Sequence, residues 1–171
     1  DAAFCPSCGT RTVLANAGWS RSCPHCGREH FPRTDPAIIV AVGRADDPDR
    51  LLLGSNALWG GNRYSCFAGF AEAGESLEDA VVREIEEEAG IRVGEIRYLA
   101  SQGWPYPRSL MLGFFATAED PDTARGDGEE IVDARWFTRA EIGEALAGRG
   151  PFTLPGNVSI AHRLIRTWFE A

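Results

Sequence analysis

GFAEAGESLEDAVVREIEEEAGI, residues 69–91, is the stretch on which the reading of this chain turns, because it crowds negative charge into one short helix. Ser76 reads as an N-cap with Asp79 three positions on, a weaker form of the Ser/Thr-x-x-Glu box, and Gly90 supplies a left-handed stop. The pattern predicts a helix from Leu77 to Ala89. At about 100° per residue Leu77, Val81 and Ile85 form the buried stripe. Glu84 and Glu88 project along that same side, while Glu86 lies toward solvent, so two acids continue an apolar face.

Glu84 and Glu88 are a like-charged i,i+4 pair and Glu84 and Glu87 an i,i+3 pair, near the helix end whose dipole already favours cations. A divalent hard cation answers this best: carboxylates one turn apart can converge on Mg²⁺ or Mn²⁺ while waters and a substrate phosphate complete the coordination. The competing reading is a solvated acidic face, and it loses weight because the acids share the apolar side.

The same residues carry a resemblance. The segment matches the Nudix box, Gly-x5-Glu-x7-Arg-Glu-apolar-x-Glu-Glu-x-Gly-apolar, at Gly69, Glu75, Arg83, Glu84, Ile85, Glu87, Glu88, Gly90 and Ile91. The resemblance implies a strand-loop-helix unit in an α/β/α sandwich with a mixed sheet, an α/β (α+β) fold. It implies metal on Glu84, Glu87 and Glu88, with Arg83 and Glu75 holding the loop against the helix. It further implies hydrolysis of a nucleoside diphosphate linked to another group, by water attacking phosphorus.

A chain of 171 residues, 44% hydrophobic, suffices for one good core and a small appendage. All 17 basic residues are Arg, which carries no functional weight. The longest apolar run, residues 37–42, is far too short to span a bilayer and no signal segment opens the chain, so no membrane partner is expected and the protein reads as soluble and cytoplasmic. The chain begins with Asp1 rather than Met, which fits a fragment or a processed form.

Cys5-Pro-Ser-Cys8-Gly and Cys23-Pro-His-Cys26-Gly are two copies of one pattern, 14 residues apart. Four thiolates so spaced close a tetrahedral structural zinc site that can hold together a ribbon with too little core to fold alone. Disulfides and a redox Cys-x-x-Cys are the alternatives, and iron satisfies the same ligands. His25 and Cys66 read as bystanders. Residues 1–33 carry four Arg against Asp1 and Glu29, a charge of +2, which leaves −10 for the rest of a chain whose total is −8. A basic ribbon on an acidic body could touch a phosphate backbone, although the overall charge argues against tight non-specific nucleic-acid binding and a merely soluble ribbon is the simpler reading.

Beyond the ribbon (1–33), the domain from 34 to 171 opens at a junction stiffened by Pro32 and Pro36. Residues 37–42 and 51–53 read as a hairpin around an Asp-Asp-Pro-Asp turn, and residues 65–67 as the strand feeding the box. Residues 96–102, 110–117 and 131–137 read as further strands. Thr138 with Glu141 forms a capping box, and Ser159 caps a last helix bearing Ile160, Leu164, Ile165 and Trp168. Between two of those strands lies SQGWPYPRS, residues 101–109. Trp104 and Tyr106 each precede proline and are pushed to extended backbone, so a stiff loop presents two flat rings suited to a planar heterocycle. The alternative is a rigid aromatic corner.

Box, four-cysteine ribbon and this loop together resemble the NADH pyrophosphatase branch of the Nudix hydrolases, which is also the branch that removes NAD caps from RNA. Gly103 stands where that branch has proline and Tyr106 where it usually has phenylalanine; Gly103 removes one stiffening ring and weakens the loop's preorganisation. The resemblance implies substrate contacts at Gln102, Gly103, Trp104, Pro105, Tyr106, Pro107, Arg108, Ser109 and Ala161. It places additional metal contacts at the Ala68 carbonyl and at Glu130, for which the adjacent Glu129 competes. It also implies a homodimer in which Phe31 and Phe70 help to enclose the dinucleotide. The expected reaction is Mg²⁺- or Mn²⁺-dependent cleavage of NAD(H) to NMN(H) and AMP, and of NAD-capped RNA, with Glu88 as base because it shares a face with Glu84. A Nudix enzyme acting on ADP-ribose or an oxidised nucleotide is one alternative, and a non-catalytic zinc-ribbon adaptor for nucleic acid or protein is another.

Overall fold

The computed structural model describes residues 2–60 and 62–171, and the chain divides into two compact units between Thr34 and Asp35. Asp1, counted in the ribbon's charge, lies outside the described residues.

The small unit is a three-stranded antiparallel sheet of β1 (Val13–Ala15), β2 (Ser20–Ser22) and β3 (Glu29–His30) in that order. The two cysteine pairs adopt one conformation twice. Gly9 N–H donates to the Cys5 carbonyl at 2.8 Å and Gly27 N–H to that of Cys23 at 2.9 Å. Both glycines sit at φ +72°, the left-handed region in which a Cβ is penalised. That is why the pattern ends in Gly both times.

The large unit is built on β4 (Asp35–Arg44), whose neighbours explain the mixed sheet. After β5 (Arg50–Asn56), β6 (Phe67–Phe70) and α1 (Leu77–Ala89), the chain forms β7 (Val93–Trp104), β8 (Ser109–Ala118) and β9 (Ile131–Thr138). The sheet order is β7-β8-β4-β5-β9, with β4 parallel to β8 and the remaining pairs antiparallel. The other edge of β4 is divided: β6 pairs with its first half, from Ala37 to Val40, and β5 with Val42 and Gly43.

Alternation along β4 assigns its two faces. Ile38, Val40 and Val42 join Val81 and Ile85 of α1 in one core, whereas Ile39 and Ala41 join α2 (Arg139–Leu146) and α3 (Ile160–Glu170) in the other. Helices thus cover both faces of a mixed sheet, the α/β/α sandwich read from the sequence. The expected caps are present: Ser76 accepts from Asp79 N–H, Thr138 and Glu141 form a reciprocal box, Ser159 caps α3, and Gly90 closes α1 at φ +66°. No helix among the described residues is long and apolar enough to cross a membrane.

Three sequence expectations are corrected. The strand feeding the box is Phe67–Phe70, not residues 65–67; Ser65 makes only an isolated bridge to Gly54, because β4 offers its free edge to 67–70. Residues 101–109 are not a loop between strands. Pairing of β7 with β8 continues to Trp104 opposite Ser109, so only residues 105–108 turn, with a cis Tyr106–Pro107 bond. The expected β4–β5 hairpin exists but pairs over two positions only, since β6 holds the rest of that edge.

Ile85 is fully buried between α1 and the sheet. Ile85→Ala should cost about 2–5 kcal/mol in urea unfolding, the range for an aliphatic core truncation, whereas exposed Glu86→Ala should stay within about 0.5 kcal/mol.

Candidate active site

The loop joining β6 to α1 is held by one guanidinium. Arg83 donates to both oxygens of Glu75 at 2.8 and 2.9 Å, to the Phe70 carbonyl at 2.9 Å, to Glu84 at 2.9 Å and to Glu87 at 3.1 Å. Hydrogen bonds from Arg83 are the main reason that Glu75 titrates near 2, with the Glu72 N–H as a further donor. A bidentate, partly buried clasp of this kind is far stronger than an exposed ion pair. It fixes the loop and presents Glu84.

Glu84 lies over the backbone of β6 at Gly69. A Cβ on Gly69 would come within 1.9 Å of the Glu84 Cδ, so a glycine is required for the carboxylate to reach the strand. One turn further on, Glu88 is only 5% exposed, and its Oε2 is buried with no hydrogen-bond partner among the described residues. Burial is the first cause that pushes the Glu88 carboxyl up to about 8; the charges of Glu130, Glu84 and Asp127 add to it, and a backbone hydrogen bond from Ala68 opposes it. Glu84 is also raised, chiefly by burial, against the pull of Arg83.

These groups line a cleft of about 450 Å³ together with Ala37, Ala68, Gly69, Phe70, Glu72, Arg83, Ser109, Met111 and Glu130. Glu130, not Glu129, reaches the cleft, and its carboxylate accepts from Asn56 Nδ2 at 3.2 Å. Glu87 is not among the lining residues: 61% exposed in its side chain, it faces the neighbouring surface with Glu75, Asp79 and Glu86. Hard oxygen donors around an orphaned, buried carboxylate oxygen suit a divalent cation of the Mg²⁺ or Mn²⁺ class, so the residues present fit the metal that the box implies.

Of the substrate residues expected from the sequence, the structure brings Phe70 and Ser109 to this cleft. Gly103, Trp104, Pro105, Tyr106, Pro107 and Arg108 form the exposed hairpin tip. There Trp104 and Tyr106 meet edge to face at 5.5 Å and Arg108 pairs with Asp35 at 2.9 Å. Gln102 spends its amide on the segment before α3, donating to the Val158 carbonyl at 2.8 Å and accepting from Ile160 N–H at 2.7 Å. Ala161, in the first turn of α3, is buried in the core. Phe31 belongs to the small unit and is half exposed. Ala37 and Met111 were missed by sequence reasoning. Strand register was the available signal, since Ala37 lies opposite both Phe70 and Met111.

In the small unit the sulfurs of Cys5, Cys8, Cys23 and Cys26 lie within 4.8 Å of one another. Contacts of 3.5 and 3.7 Å between them are far longer than a disulfide bond, and all five cysteines of the chain are free. Four converging thiolates fit a closed tetrahedral zinc site.

Two tests follow from the cleft. Without added metal, the native state binds a proton at Glu88 that the unfolded chain, titrating near 4.5, has released. The resulting stability is complete below about pH 4.5 and is lost as pH rises through about 8, a change on the order of a few kcal/mol. Glu88→Gln should flatten that slope in urea titrations, and saturating Mn²⁺ should remove it from the parent by favouring the ionised form. Gly69→Ala, which forces Glu84 aside, should weaken Mn²⁺ binding by about 10-fold or more, read by electron paramagnetic resonance of free Mn²⁺.

Comparison with known proteins agrees with this geometry. Residues 33–154 match the NUDIX domain and residues 1–31 the NADH pyrophosphatase zinc ribbon domain. The NAD-capped RNA hydrolase NudC of Mycobacterium tuberculosis is 47% identical over 176 residues, covering 98% of this chain and 55% of its own length. The human NAD-capped RNA hydrolase NUDT12 is 41% identical over 177 residues, 98% of this chain and 38% of its own. The chain therefore spans about half the length, or less, of these curated relatives. A NUDIX hydrolase structure from Nitrosomonas europaea superposes with a TM-score of 0.64 at 26% identity, covering 88% of this chain and 96% of the other. Box, fold and family matches lead to one conclusion: the chain belongs to the Nudix family and carries the zinc ribbon of its NADH pyrophosphatases.

Proposed function

We propose that this protein hydrolyses the pyrophosphate bond of NAD(H), giving NMN(H) and AMP, and removes NAD caps from RNA. The observation that carries the chemistry is the Glu88 carboxylate, buried and half unpartnered in a cleft of acids. The choice of substrate draws on the two NAD-capped RNA hydrolases that match nearly the whole chain.

Glu84, Glu88, Glu130 and the Ala68 carbonyl would hold Mg²⁺ or Mn²⁺ in the cleft, while Glu87, also implied by the box, lies on the neighbouring surface. When bound, the cation neutralises phosphate charge and lowers the pKa of water. The protein's own part is positional and protolytic. Glu88 takes the proton of the attacking water as the new P–O bond forms and the bond to the bridging oxygen breaks. The Arg83 clasp keeps Glu84 facing the cleft while that charge moves. Phe70, Ser109 and the Trp104–Tyr106 pair offer ring faces and a hydroxyl to the nucleoside ends. Zinc in the four-cysteine site is structural. Half-exposed aromatics at Phe31 and Phe70 favour a homodimer that encloses the dinucleotide, and wholly free cysteines suit the reducing cytoplasm.

The test is product analysis of NADH, NAD-capped RNA and ADP-ribose with Mg²⁺ or Mn²⁺. NMNH and AMP from NADH, and a 5′-monophosphate end on the RNA, are the expected products. Glu88→Gln should lower kcat by about 10²–10⁴-fold without lowering the melting temperature; unchanged turnover would remove Glu88 from its role. A kcat/KM greater for ADP-ribose than for both other substrates would overturn the assignment.

A further inference from the structure

Glu130 faces a difficulty that Glu84 and Glu88 do not. The helical acids are placed by α1, whereas Glu130 is exposed and sits at the end of the connection into β9. A free glutamate side chain there would lose rotamer freedom on joining a metal site. The structure holds it at three points. Its backbone N–H donates to Asp127 Oδ1 at 3.0 Å, and the same oxygen takes the N–H groups of Glu129 and Ile131 at 2.8 and 2.9 Å. Its carbonyl accepts from Ala57 N–H at 2.8 Å. Its carboxylate accepts from Asn56 Nδ2, and the Asn56 amide is oriented in turn, because its Oδ1 accepts from Leu58 N–H at 2.9 Å. With the amide oxygen so committed, the NH₂ must face the carboxylate.

The connection is also tied to the helix that carries the other acids. Arg125 N–H donates to the carbonyl of Ala89, the residue after Glu88, at 3.0 Å. Asp127 and Asn56 thus both act on Glu130, one through the backbone and one through the side chain.

We propose that Asp127 and Asn56 are positioning residues that preset Glu130 on the wall of the cleft facing Glu84 and Glu88. The proposal rests on reading the cleft as a divalent-cation site, and neither residue touches substrate. Loss of either leaves the carboxylate in place chemically but unplaced in space.

The experiment measures Mn²⁺ binding to the full chain, its ribbon intact, by electron paramagnetic resonance, alongside NADH turnover. Asp127→Ala and Asn56→Leu should each weaken Mn²⁺ binding about 10–100-fold, the usual cost of removing a group that orients a metal ligand, and lower kcat while KM for NADH stays within about twofold. Asp127→Asn keeps an acceptor oxygen and should restore binding to within about threefold of the parent. In a Glu130→Gln background neither substitution should weaken binding further, which a merely structural role would not produce. Parent-like Mn²⁺ binding in both single variants would overturn the proposal, as would an undiminished effect in the Glu130→Gln background. If Asp127→Ala does not fold, Asn56→Leu in both backgrounds decides the matter in the same way. A parent that binds Mn²⁺ with this pattern yet leaves NADH intact would support the proposal while refuting the assigned substrate. A parent that binds no Mn²⁺ would overturn the proposal outright.

Discussion

Carboxylates on the apolar side of a helix are the constraint around which this molecule is arranged. Removing one ionised carboxylate from water costs several kcal/mol unless something compensates. α1 carries Glu84 and Glu88 on the face that also buries Val81 and Ile85. Arg83 offsets part of the charge on Glu84 and Glu87, but its guanidinium never reaches Glu88. The unpaired Glu88 oxygen is therefore a standing cost in the metal-free protein, expressed as a carboxyl held near 8. A dication satisfies it and reverses the sign of the local field, so the feature that destabilises the free protein is the one that creates affinity.

The fold supplies what this arrangement requires. Because β6 takes the first half of one edge of β4 and β5 takes the second, the chain leaves β6 at the point where α1 can return its acids across Gly69. The parallel neighbour β8 then brings Ser109 and Met111 beside Ala37 on the other wall. The third wall depends on β5, which ends at Asn56, and β9, which starts at Ile131, with a register shift between Ser55 and Asn56. At that irregularity Asn56 stays paired with Ile131 while its side chain serves Glu130.

What the sequence revealed follows from the range of the interactions involved. The extent of α1, its Ser76 and Gly90 caps, the Thr138–Glu141 box and the paired knuckles are fixed within a few residues, and local chemistry disclosed them. The mixed sheet followed from the box. Strand ends did not, since Phe67–Phe70 is a strand only because β4 has an open edge there, and residues 101–104 belong to β7 only because β8 runs alongside. Glu130 could be separated from Glu129 only by the Asp127 turn. Ala37 and Met111 have no chemical signature, and Asn56 acts through a partner 74 positions away.

Gln102 shows how a residue can serve the cleft from outside it. With both amide atoms committed to the backbone at Val158 and Ile160, it is poorly available as a donor to substrate. It instead joins the end of β7 to the N-terminus of α3, filling one of the helix's open N–H positions. The Ser159 side chain, the helix cap, takes His162 N–H. The hairpin that carries Trp104 and Tyr106 is thereby anchored on one side by Gln102 and on the other by the Arg108–Asp35 pair. Gly103 gives up the stiffness of a proline between these anchors, with nothing within 4 Å of where a side chain would stand. Rigidity lost from the backbone at one position is recovered through hydrogen bonds at its two flanks, so the aromatic tip is held by its ends rather than by its own ring constraints.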